Sequence, residues 1–81
     1  MKVYVHLFGV AREKMRRNVL EVEVREPAVA GDVATQILLH HTELGDLLRT
    51  AAIAVDREFA KSDTPVREGS EVALLPPVSG G

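Results

Sequence analysis

An α+β domain, with one helix laid across a mixed sheet, is the fold this sequence predicts. Three observations predict it. Two alternating apolar runs open the chain, a helical apolar period follows them, and short apolar runs return before the end. The chain has 81 residues, enough for one small core. A domain of that size hides roughly 60–65% of the surface its unfolded chain exposes, so a single helix on a single sheet face is the economical arrangement.

The elements follow in order. Residues 2–8 alternate, with Val3, Val5 and Leu7 on one side and Tyr4, His6 and Phe8 on the other. That is a strand with one buried face. Gly9 breaks it, and a polar connection is expected to run to Arg17. Residues 18–25 alternate again, and Leu20, Val22 and Val24 are expected to face the core. The two strands form an antiparallel pair. Pro27 stops the second strand.

From Ala30 the period changes. Ala30, Val33, Ala34, Ile37, Leu38 and His41 fall on one face of a helix about three turns long. Val29 offers no capping oxygen, while Asp32 in the first turn suits the helix dipole. Leu44, Leu47 and Leu48 are expected to cover a core edge as a short helical turn. Residues 51–55 are apolar and fit a buried strand. Asp56 and Arg57 form a turn into a short strand at 58–61, Pro65 and Gly69 mark loops, and residues 71–75 alternate as a last strand with Val72 and Leu74 inward. The order ββαβ(β)β is the β-grasp architecture. Residues 1–75 form the domain, and residues 76–81 are expected to be a flexible C-terminal tail.

Composition excludes several function classes. The 46% hydrophobic and 27% charged content is that of a globular chain. A net charge of -2 points to neither nucleic acid nor an anionic membrane. There is no cysteine, hence no disulfide, no thiolate metal site and no thiol chemistry of the chain's own. No apolar run approaches the ~20 residues needed to cross a bilayer, and the N-terminus lacks the long apolar core of a secretory signal. The expected location is the cytoplasm.

The tail, PPVSGG, is the most informative segment. Pro76 and Pro77 favour a stiff, extended exit from the sheet. Gly80 and Gly81 lack a Cβ, so their backbone passes where other residues cannot. Six residues reach roughly 20 Å at most, enough to carry a terminal carboxylate into another protein's active site. The bland alternative is a frayed end.

Other clusters carry less. Arg12 and Glu13 after Phe8 read as a solvated loop, and the basic run Arg12, Lys14, Arg16 and Arg17, which alone would suggest nucleic acid, is offset by neighbouring acids and the overall negative balance. His40 and His41 are adjacent, so on a helix they diverge by about 100° and do not share a metal ion; no metal site is expected. No G-x-S-x-G, phosphate loop or cysteine nucleophile supports a self-contained enzyme.

KVYVHLFGVARE at the start, AGDVATQILLHHTEL in the middle and REGSEVALLPPVSGG at the end resemble the small subunit of molybdopterin synthase, the MoaD-type sulfur carriers. The resemblance spans essentially the whole chain, and PPVSGG is its most specific piece. Leu74 and Leu75 stand where aromatics are common, Asp56 where Asn is frequent, and Val29 where a capping Thr is usual.

The resemblance implies the ubiquitin-like β-grasp fold and a carrier that is not catalytic alone. An adenylating, ubiquitin-activating-like enzyme would use ATP to convert the Gly81 carboxylate to an acyl-adenylate. A sulfur donor would convert that to a thiocarboxylate. Pro76, Pro77, Val78, Ser79 and Gly80 would insert into the large synthase subunit, where sulfur passes to a pterin precursor. The chain itself would bind no cofactor. Tyr4, His6 and Phe8 on the outer sheet face, with Leu75 beside the tail root, are the expected docking residues. The same carrier chemistry serving thiamine or cysteine synthesis, a protein modifier joined to lysines, and an inert interaction module remain open alternatives.

Overall fold

The structure, a computed structural model, describes residues 1–77. Strand β1 (Lys2–Leu7) pairs antiparallel with β2 (Val19–Glu23), and Val3 and Val5 face Val22 and Leu20 across the pair. Both members of each of these pairs point inward, so a one-residue slip would turn one strand's apolar set out to solvent. The last strand, β7 (Val72–Leu75), lies parallel to β1 on its other side. Strand β4 (Ala52–Val55) follows, then β5 (Glu58–Phe59), giving the order β2-β1-β7-β4-β5.

Helix α2 (Ala30–His40) crosses the inner face and buries Ala30, Val33 and Ile37. With Val5, Leu7, Leu20, Val72 and Leu74 these form the core. The helix start has a cap that Val29 itself cannot supply. The Val29 N–H donates to Asp32 Oδ2 at 2.9 Å, the reciprocal half of a capping box. Leu38, expected on the packed stripe, is 49% exposed. The stripe that meets the sheet is narrower than the period suggests, and Leu38 lies beside Gly45 of the next helical turn instead.

The residues after α2 form a 3-10 turn (Thr42–Leu44) and a short helix α3 (Gly45–Leu48). Leu44 is fully buried, while Leu47 and Leu48 pack half-buried against the core. Asp56 and Arg57 have φ of 52° and 71°, the left-handed pair that a tight hairpin between β4 and β5 requires. Asp56 also ties that turn to β7. Its Oδ1 accepts from the Glu71 N–H at 2.9 Å, and its own N–H donates to the Glu71 carbonyl at 2.7 Å.

Three further expectations fail. Residues 9–17 are not an irregular connection, because Gly9–Met15 form helix α1. The Phe8 carbonyl accepts from the N–H groups of Ala11 and Arg12, and Arg16 closes the helix at φ 55°. Ala11 is fully buried and Met15 packs on the core, so two anchors one turn apart hold a helix too short to show a period. Pro65 is not in a loop either. Pro65–Val66 form β6, which pairs antiparallel with β3 (Ala28–Val29) and closes the core beneath the start of α2. The strand expected at 58–61 also stops early, at Phe59.

Candidate functional site

The outer sheet face is built by the same alternation that builds the core. His6 lies beside Val19 on β2 and Ala73 on β7. Ala73 lies beside Ala54, and Ala54 beside Phe59. One row of outward side chains therefore crosses all five strands. In the next row Leu75 pairs with Ala52, and Phe8 continues β1 beyond Leu7 with extended backbone.

A shallow groove of ≈ 240 Å³ runs along these rows, lined by Phe8, Ala54, Arg57, Phe59, Glu71, Ala73 and Leu75. Ala54 and Ala73 make a low floor. Phe8 and Phe59 stand on opposite sides, three strand spacings or roughly 14 Å apart. Both are open to solvent, 44% and 79% exposed. Arg57 and Glu71 close one rim with an exposed ion pair at 3.7 Å.

The expected docking residues separate into two places. Phe8 and Leu75 share the apolar groove. Tyr4 and His6 line a neighbouring, more polar depression with Lys2, Glu68, Ser70 and Glu71. Phe59, the most exposed large apolar residue among those described, was not expected at the site. Its signal in the sequence was an aromatic two residues past a polar turn, where no core residue is needed.

The tail root sits at the same end of the sheet. Because β7 runs parallel to β1, it delivers Pro76 beside the end of β1. A Cβ placed on Gly9 would lie 3.7 Å from Pro76 Cγ, so the proline ring rests on the start of α1. Pro76 is half-buried there and Pro77 is exposed. Val78, Ser79, Gly80 and Gly81 lie outside the described residues. His40 is exposed on α2 and His41 half-buried beyond it. Among the described residues no three His, Asp or Glu side chains come together as a metal site would need, and no helix is long and apolar enough to cross a membrane.

The ThiS family model matches residues 5–81, which include the outer face, the tail root and the tail. The chain belongs to the ThiS family. Within it, the chain is 33% identical to the molybdopterin synthase sulfur carrier subunit of Mycobacterium tuberculosis, covering 100% of this chain and 99% of that one. It is 30% identical to the Chlamydomonas reinhardtii subunit of the same name, with both chains covered in full. Among solved structures, this ThiS-family chain is similar to SAMP1 from Haloferax volcanii, at TM-score 0.85 and 27% identity, both chains covered in full. It is also similar, at TM-score 0.71, 27% identity and full coverage of both chains, to a chain in the complex of subunits 1 and 2 of the molybdopterin-converting factor from Helicobacter pylori. The fold is the ubiquitin-like β-grasp.

Proposed function

We propose that this chain is the small, sulfur-carrying subunit of a molybdopterin synthase. The observation that carries the reading is the match, over essentially the full chain, to two sulfur carrier subunits of that enzyme. The geometry is consistent with it. A partner seated in the Phe8–Phe59 groove receives the chain leaving Pro76 and Pro77 at the groove's end, so docking and tail delivery are one event.

The chemistry begins at the Gly81 carboxylate. A carboxylate is a poor acyl donor because its leaving group would be oxide. An adenylating partner joins it to the α-phosphorus of ATP and releases pyrophosphate, which supplies a good leaving group. Sulfur from a donor then attacks the acyl carbon and expels AMP, leaving a thiocarboxylate. The sulfur is external, since the chain has no cysteine. In the large subunit the thiocarboxylate sulfur passes to a pterin precursor, and water restores the carboxylate.

A second reading is favoured by the likeness to SAMP1, the small archaeal modifier protein 1 of Haloferax volcanii. It begins with the same activated carboxylate but ends at a lysine amine of another protein. Intact-mass measurement after incubation with ATP, the adenylating enzyme and sulfide separates these outcomes. Exchange of one oxygen for sulfur on this chain, followed by sulfur transfer in the presence of the large subunit, is the expected result. Lysine-linked adducts without sulfur transfer would support the modifier, and an unaltered mass would reject both. Deleting Gly81, or adding one residue after it, is expected to abolish the exchange.

A further inference from the structure

Four cations crowd one short segment. Residues 9–18 hold Arg12, Lys14, Arg16 and Arg17 against the single acid Glu13, a local charge of +3, while the rest of the chain carries -5. All four are exposed, and among the described residues none takes part in an ion pair. Helix α1 carries Arg12 and Lys14 and is anchored by the fully buried Ala11 and by Met15, while Arg16 is its C-cap and Arg17 follows in the next bend. The same helix touches the tail root through Gly9 and Pro76. Arg12, three residues on from Gly9, shares the helix side that meets the tail root. A basic ridge therefore starts at Arg12, beside the point where the chain leaves the domain, and runs on to Arg17 past the helix end.

Its position bears on a charge problem that rests on the carrier reading above. To be adenylated, the tail must bring an anionic carboxylate up to ATP, itself a polyanion. Like charges oppose that approach. Attraction elsewhere along the docking face helps to offset it. We propose that the ridge of Arg12, Lys14, Arg16 and Arg17 docks on an acidic rim beside the tail channel of the adenylating enzyme and steers the encounter. A protein rim fits better than nucleic acid. The footprint is only one short helix and the two residues after it, and the -5 carried by the rest of the chain repels an extended phosphate backbone.

The test is the association rate with the purified adenylating enzyme, measured by stopped flow at low and high salt. For the wild-type chain the rate is expected to fall roughly tenfold or more between ~20 and ~200 mM salt, since steered encounters are screened. The combined variant Lys14→Gln, Arg16→Gln and Arg17→Gln is expected to associate about tenfold more slowly at low salt, with a flattened salt dependence and an unchanged dissociation rate. Glu13→Gln, which makes the ridge more positive, is expected to associate faster. A wild-type rate independent of salt, or a triple variant that associates like wild type, overturns the proposal. If the triple variant melts early, Glu13→Gln decides alone, and an unchanged rate overturns it. Tighter binding of the wild-type chain to duplex DNA or RNA than to the enzyme also overturns it. A wild-type chain that does not bind the adenylating enzyme at any salt concentration rejects the carrier reading itself, and the ridge proposal with it.

Discussion

Phe59 is the sharpest place to perturb the proposed docking face without touching the core. It sits on a two-residue edge strand opposite Ala54 and is 79% exposed. A buried aromatic covers about 150–250 Å², so a partner that takes up the exposed part removes roughly 120–200 Å² from water. At ~25 cal/mol per Å² that is about 3–5 kcal/mol before costs. Alanine retains the Cβ, and ordering the ring in the complex costs part of the gain. Phe59→Ala is then expected to weaken partner binding by about 2 kcal/mol, roughly 30-fold in Kd. The fold should change by no more than ~0.5 kcal/mol, because little of the ring packs against its own domain. Titration calorimetry with the large synthase subunit and with the adenylating enzyme, beside a melting curve, reads both quantities. A Kd within about twofold of wild type for both partners would refute the assignment of this groove as the docking face.

Three further outcomes are expected. Leu74→Ala removes a fully buried side chain from the strand between β1 and β4, and chemical denaturation should show a loss of about 3–4 kcal/mol; a loss under ~1 kcal/mol would contradict the core described above. Arg57→Gly relieves a left-handed residue at φ 71° and sacrifices only an exposed 3.7 Å ion pair, so the melting temperature should rise by about 2–4 °C after glycine's entropy cost is counted; a fall in melting temperature would show that the pair matters more than the strain. Gly80→Val should leave melting unchanged yet lower adenylation and sulfur transfer roughly tenfold or more, since a branched side chain displaces a tail threaded through a narrow channel; wild-type turnover of both steps would count against such a channel.

Strands β1, β2 and β7 and helix α2 were legible in the sequence because each buries one face over several periods. Val3, Val5 and Leu7, then Leu20, Val22 and Val24, then Val72 and Leu74 all face inward as their alternation requires. The turn at Asp56 and Arg57 was legible from residue type. The tail chemistry was suggested by its prolines and glycines, whose backbone preferences follow from residue type alone, whereas the seat of Pro76 against Gly9 needed the fold. Helix α1 was hidden because seven residues with two anchors carry no readable period, and Gly9 looked like a break when it is the entry to a helix. Strand β6 was hidden because a proline argues against pairing, yet a two-residue bridge at a sheet edge needs little from it. The groove itself depends on which strands become neighbours. Phe8, Ala73, Ala54 and Phe59 are far apart in the chain, and only the parallel placement of β7 between β1 and β4 sets them around one groove. The periodicity of this sequence determined which side chains face out. The strand order, a product of long-range packing that no local pattern encodes, decided which of them meet.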